Sequence, residues 1–510
     1  MKRVLREFRK LISRRMFIAL LILAQFAMLA TLFIRSYHLL WFVRMLNLIS
    51  IVTALHLMTR PDQNAFKLSL VFLILLFPTF GGALYWIMHF QTASVGFRRI
   101  LKEIEERTKS AILPPKDLLP QAEAAFPSHG KQMRYLQNTS GFPLFENTDA
   151  RYFAHGKPML ESLKEDLKSA ERYIFLEYFI IEEGVMWNSI LEILEEKAAS
   201  GVDVRVIYDD LGSFLTLPPN YAKRLNAKGI KCKVFNKFHP FLTCLQNNRN
   251  HRKIAVVDGK TAYTGGINLA DEYIGEKIRF GIWKDSAVRV HGDAAWSFTV
   301  MFLQIWELLT LKKEDYTQYV PAMGEQGMNR GLVQPYTDSP IDGENVGEMV
   351  YLQIIQSAKH YLYITTPYLM VGDNLLSALK LASKSGVDVR ILTPGIPDKK
   401  TVHFTTRSYY RELLDAGIRI YEFKEGFVHS KTFVSDDTVA TVGTVNLDFR
   451  SLYLHFECGA CLYNCPAILD VKKDFLDTLP SCREITSKEC KAGPFKKLFQ
   501  NIMRIFAPLM

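Results

Sequence analysis

The chain has 510 residues, enough for roughly three structural units at about 150 residues each, and its 48% hydrophobic content excludes a disordered chain. Its net charge of +11 is unevenly placed: residues 1–110 hold 16 bases against 5 acids, and the other 400 carry 47 of each. A basic excess confined to an apolar N-terminal segment excludes a nucleic-acid binder with a basic core and suits a membrane anchor with basic flanks.

Within that anchor (1–110), residues 16–34 carry no charge and follow seven bases. Residues 68–90 contain no Asp, Glu, Lys or Arg. Both are long enough to cross about 30 Å of hydrocarbon as helices. Residues 38–58 are apolar but contain Arg44 and Asn47, which makes them a weaker third span or an interfacial helix. The first run exceeds a signal peptide's apolar core, and more apolar sequence follows soon after. Bases lie before the first span and after the last (Arg98, Arg99, Lys102). The positive-inside rule then predicts two crossings in a multi-pass cell-membrane protein with a cytoplasmic catalytic part.

Residues 111–149 read as a linker. Beyond them short apolar runs alternate with helical stretches. Residues 173–181 (YIFLEYFII) read as a buried strand, 188–199 as an amphipathic helix and 202–208 (VDVRVIY) as a second strand. This is a βαβ pattern, which calls for a mixed or parallel sheet covered by helices. The same grammar returns at 361–369, 375–385 and 386–392, where GVDVRIL repeats the GVDVRVI of 201–207. Two copies of one α/β unit are predicted, over 150–330 and 331–482. A basic amphipathic segment at 483–510 follows them and suits either the domain surface or the membrane surface.

Each copy carries one motif with identical spacing. The first is His251-x-Lys253, Asp258, Gly265-Gly266 and Asn268; the second is His429-x-Lys431, Asp436, Gly443-Thr444 and Asn446. One such motif is weak, but two in matching repeats are not a coincidence. Side chains at i and i+2 share a strand face, so each His-x-Lys pair points one way. Two lysines and two asparagines can surround the oxygens of a phosphodiester, one imidazole can attack phosphorus, and the other can protonate the leaving oxygen. The two ammonium groups supply the charge, so no metal and no cofactor is expected.

The doubled motif resembles the phospholipase D superfamily. The apolar N-terminus, Arg249 to Lys253 (RNHRK), 265–273 (GGINLADEY), Trp283-Lys284-Asp285, 443–451 (GTVNLDFRS) and Ala507-Pro508-Leu509 are similar to bacterial cardiolipin synthases. That resemblance implies a membrane enzyme that converts two phosphatidylglycerol molecules to cardiolipin and glycerol through a phosphatidyl-histidine. It implies His251 as nucleophile, and a crossed arrangement in which Glu457 orients His251 and Asp285 orients His429. Asp258 and Asp436 enter the catalytic set as motif members. Their position five residues past the lysine, roughly 15 Å along a strand, suits tying a turn better. Asn268 and Asn446 are the expected phosphate ligands. A phospholipase D hydrolase, a transferase to another alcohol and a non-catalytic lipid-binding protein are the competing readings.

Seven cysteines, none before Cys232, do not make a disulfide framework. Cys458, Cys461 and Cys465 resemble part of an iron–sulfur run, but Cys482 and Cys490 do not complete it, so core thiols are expected. Asp209-Asp210 reads as a strand-ending turn, and His403 and His455 as ordinary side chains.

Overall fold

The computed structural model describes residues 40–510 apart from 61–62, 79, 90–91, 113–115, 238–243, 322–328 and 492, together with Leu23, Ala27 and Thr31. The chain forms two compact units. One comprises Met1–Phe97, Asn236–Asn248 and Leu509; the other holds the remainder.

In the first unit, Leu40–Thr59 is one helix of 20 residues, long and apolar enough to cross a membrane. This is the stretch that the sequence ranked third. The expected span at 68–90 is not continuous. It is a helix Asn64–Leu76, a break, and a helix Gly81–His89. Pro78 disfavours helical backbone at Phe77, and the first piece, about 20 Å long, falls short of the hydrocarbon thickness. Gly82 then packs where a Cβ would stand 2.5 Å from Ser50 Cα, and its N–H donates to Ser50 Oγ at 3.0 Å. The expected span at 16–34 lies outside the described residues save Leu23, Ala27 and Thr31.

The second unit is built on one continuous sheet. In the first copy the strands Tyr173–Tyr178, Asp203–Asp209 and Lys231–Phe235 run parallel. The other side of Tyr173–Tyr178 pairs with the antiparallel hairpin Ile254–Val257 and Thr261–Gly265, followed by Ala287–Gly292 and Phe145–Phe153. The second copy repeats the order with Tyr361–Thr365, Asp388–Pro394 and Arg419–Phe423, then Thr432–Ser435, Val439–Gly443, His455–Tyr463 and Asn329–Asp338. Phe145–Phe153 and Asn329–Asp338 pair antiparallel and join the copies edge to edge. The mixed α/β repeat follows the expected pattern: the two GVDVR segments become the matching strands Asp203–Asp209 and Asp388–Pro394.

Helix Ala295–Thr310 is buried over residues 295–308, which is why its sequence is apolar on every side. Residues 111–149 are not a bare linker. Helices Leu119–Ala125 and Gly130–Thr139 lie there. Met133 and Leu136 are fully buried, and Gln132 Nε2 donates to Val350 O at 3.1 Å. Few apolar side chains among many polar ones hid these helices from a hydropathy reading.

Candidate active site

Each histidine sits where a short strand of one copy crosses to the other. Arg249–Asn250 pairs in parallel with His455 and Phe456, and His251 N donates to Phe456 O at 2.9 Å. Gly426–Val428 pairs in parallel with Ile282–Lys284, and His429 N donates to Lys284 O at 2.7 Å. The residue after each crossing contact is an acid. His251 Nδ1 therefore lies 2.8 and 3.0 Å from the Glu457 oxygens, and His429 Nδ1 lies 2.6 Å from Asp285 Oδ2. The distances place Glu457 on His251 and Asp285 on His429, each acid coming from the opposite copy.

The lysines stand beside the rings. Lys253 Nζ donates to His251 O at 2.6 Å. Lys431 Nζ donates to His429 O and lies 2.9 Å from His429 Nδ1. All six groups are buried, and burial sets their proton affinities. It pushes Lys253 down to about 7 and Lys431 to about 8. It also drives both imidazoles well below their ordinary value, with the neighbouring ammoniums adding to the effect. Burial lifts Asp285 to about 7. At Glu457 burial is outweighed by His251, His455 and Lys253, which hold that carboxyl well below the usual carboxylate range. Burial thus favours the neutral form of both imidazoles, while a carboxyl group stands at each Nδ1.

Glycines make the close approach possible. A Cβ on Gly266 would lie 2.0 Å from Asp285 Oδ1. The matching position in the second copy is Thr444, whose hydroxyl donates to Glu457 and accepts from Cys458 N at 3.0 Å.

Asp258 and Asp436, expected in the catalytic set as motif members, lie at the hairpin tips and tie the turns. Asp258 accepts from the N–H groups of Glu171, Arg172 and Tyr173, each at 2.8 Å. Asp436 accepts from Lys359, His360 and Tyr361 at 2.7 to 2.9 Å. Both adopt left-handed backbone at the hairpin tip and pin it to the first strand of the repeat. Asp258→Ala should therefore lower stability by about 2 kcal/mol, read as a reduced Tm, while the folded protein keeps near-normal kcat. A loss of kcat with unchanged Tm would restore Asp258 to the chemistry.

The asparagines differ from one another. Asn268 is engaged at both ends, accepting from Ile180 N at 3.0 Å and donating to Tyr273 Oη at 2.7 Å. Among the described residues Asn446 Oδ1 is buried without a partner. Of the two expected phosphate ligands, only Asn446 has an uncommitted amide.

Sequence reasoning missed two groups. Glu177, wholly buried and raised by that burial to about 7, accepts from Asn250 Nδ2 at 2.6 Å and steadies the strand that presents His251. His455 lies two residues before Glu457. Its ring is 5.5 Å from His251; among the described residues neither ring nitrogen has a hydrogen-bond partner, and Nδ1 stands 3.8 Å from Glu457 Oε1. The equivalent position before Asp285 is Trp283, 5.5 Å from His429. Aligning the two copies on their acids would have exposed this exchange. Glu457, His251 and His455 present ligand atoms within 4.8 Å of one another, close enough to hold a metal ion.

A family model described as "Cardiolipin synthase, PLD-like domain" matches residues 163–290 and again 351–479, and the two matches enclose both histidines, both lysines and both acids. The chain belongs to this cardiolipin synthase family. It is 37% identical over 365 residues to cardiolipin synthase 2 of Bacillus anthracis, covering 71% of each chain. It is 34% identical over 434 residues to the cardiolipin synthase of Geobacillus kaustophilus, covering 84% of each. An uncharacterized protein of Streptococcus mutans is 48% identical over 378 residues, 74% of this chain and 82% of that one. Among solved structures, the phosphatidylserine synthase of Haemophilus influenzae covers 74% of this chain and 98% of its own, with a TM-score of 0.55 at 14% identity, a likeness of fold.

Cys458 and Cys461 are buried on strand His455–Tyr463, and burial lifts their thiols to about 11 and about 12. The six described free cysteines form no disulfide. Asp209 closes its turn through Leu211 N and Gly212 N and also accepts from Asn250 N at 3.1 Å.

Proposed function

We propose that the chain is a phosphatidyltransferase that makes cardiolipin and glycerol from two phosphatidylglycerol molecules. The crossed pairing of each imidazole with a buried acid, beside two buried lysines, carries this reading. With Nδ1 of His251 held by Glu457, Nε2 has the lone pair and attacks phosphorus. The P–O bond to the headgroup glycerol breaks, and His429, entering the step as the imidazolium beside Asp285, gives that oxygen a proton as glycerol leaves. The phosphatidyl group stays on His251. A hydroxyl of the second phosphatidylglycerol then gives its proton to His429 and attacks phosphorus, which frees His251. Lys253, Lys431 and Asn446 stabilise the charge that builds on the phosphoryl oxygens. One phosphodiester replaces another, so no nucleotide is consumed.

Water would turn the transfer into hydrolysis. Trp283, Tyr273 and Phe427, with ring centres 5.5 to 5.9 Å from His429, supply an apolar wall at the half where the acceptor hydroxyl is activated. Purified protein given phosphatidylglycerol alone should yield cardiolipin and free glycerol by lipid mass spectrometry. Phosphatidic acid alone would make it a hydrolase.

The ammonium groups stand where a metal enzyme places its ion. Turnover should therefore persist in excess chelator, on a substrate dispersion that itself needs no divalent ion. Complete loss, restored by one equivalent of metal, would contradict this and point to His251, His455 and Glu457 as ligands. For topology, crossings at 16–34 and 40–59 keep the even count, so the bases at both ends stay cytoplasmic. Labelling of a cysteine placed at the exposed Lys228 only after permeabilisation supports that sidedness.

A further inference from the structure

Helix Pro494–Phe506 is turned the wrong way for a protein surface in water. At 100° per residue Lys497, Gln500, Asn501 and Arg504 share one face, and Phe495, Leu498, Phe499 and Ile502 share the other. The polar face lines a cavity of about 400 Å³, whose further walls come from helices Asp373–Lys384 and Lys400–Leu414. The apolar face is left in the open, with Phe495, Leu498 and Phe499 exposed by 87, 59 and 54%. The helix is nevertheless docked: Phe499 meets the Phe404 ring at 5.3 Å, and the Arg504 guanidinium lies 4.2 Å over Tyr409.

The cavity is strongly basic. Lys380, Lys384, Arg407, Arg411, Lys497 and Arg504 line it against only Glu412 and Asp415. Lys380 and Arg504 share Glu412 at 2.8 and 3.4 Å, Arg411 faces Asp415 at 3.7 Å, and Arg407 faces Glu422 at 3.6 Å. Among the described residues, no carboxylate comes within 4 Å of Lys384 or Lys497. A surplus of cations next to an open apolar strip calls for a partner that is anionic at one end and greasy at the other.

We propose that this is a second, non-catalytic site, for an anionic phospholipid. The lipid phosphate seats among the cations, Phe495, Leu498 and Phe499 enter the acyl region of the same leaflet, and the helix lies in the plane of the interface. Thirteen residues reach about 20 Å, too short to cross. The site holds the catalytic sheet against an anionic surface and so raises the local concentration of phosphatidylglycerol. It rests on the reading that the substrate is a lipid.

The test uses the full-length chain with two variants, Lys384→Glu/Lys497→Glu and Phe495→Ser/Leu498→Ser. Each is assayed on long-chain phosphatidylglycerol in mixed micelles and on a short-chain phosphatidylglycerol kept below its micelle concentration. Expected is a loss of about fivefold or more on micelles, seen in the surface KM, with wild-type turnover on the monomeric lipid. Equal losses in both assays, or none in either, overturn the site. Binding of fluorescent phosphatidylserine to the detergent-solubilised chain decides independently of catalysis. It should weaken in both variants and resist inorganic phosphate at matched concentration. Unchanged binding in the variants, or displacement by inorganic phosphate, also overturns it. Wild type that makes no cardiolipin from either substrate would refute the proposed function, and the binding arm would still judge this site.

Discussion

His251→Ala and His429→Ala should each lower turnover by about 10⁴-fold or more, and the double variant should be little worse than either single one. On the proposed mechanism the two imidazoles act on one phosphorus, so removing either removes the whole course of the reaction, and effects within such a unit do not add. On the proposed mechanism His251 is the nucleophile, its Nδ1 held by Glu457. Acid-quenched protein with phosphatidylglycerol should carry the phosphatidyl adduct on His251, and His429→Ala should still accumulate some of it. An adduct on His429 would exchange the two roles. Near-normal activity in either single variant would sink the composite site.

Glu457→Gln and Asp285→Asn should each keep the fold and cut kcat by a hundredfold or more, with little change in KM. A carboxylate 2.6 to 3.0 Å from Nδ1 fixes the tautomer and stabilises the imidazolium that forms in the reaction; an amide does neither reliably. The two variants should differ in their pH profiles. Burial lifts Asp285 to about 7, so its negative charge is present above that pH and fades below it. Glu457 is held low and stays ionised throughout. Wild-type kcat/KM should therefore fall as pH drops through about 7. That acid limb should vanish in Asp285→Asn and survive in Glu457→Gln. A limb that persists in Asp285→Asn belongs to another group.

The parts legible in the sequence are those where chemistry repeats. Two His-x-Lys motifs with the same offsets, and two GVDVR strands, mark the repeat because each copy must build the same hairpin over the same βαβ frame. The acids were reachable only through the family likeness, since nothing local links Glu457 to a histidine 206 residues away. The helices between 111 and 149 were hidden because their buried faces rest on a few residues such as Met133 and Leu136. The broken span at 68–90 was misread because hydropathy counts apolar residues and ignores the Phe77-Pro78 step that ends a helix. His455 was dismissed for lacking a partner in sequence. Its neighbours are Glu457, one turn of pleat along the same strand, and His251 from the other copy.

The exchange of acids between the copies has the geometry of a twofold dimer fused into one chain. In a dimer of identical subunits the two half-sites must stay identical. Fusion lifts that constraint: Trp283 opposite His455, and Gly266 opposite Thr444, are differences that no symmetric pair could hold. On the proposed reaction the donor and the acceptor are the same molecule, so no pocket can sort them by chemical structure. Only address can distinguish them, and a lipid becomes giver or receiver by which side of a broken symmetry it occupies.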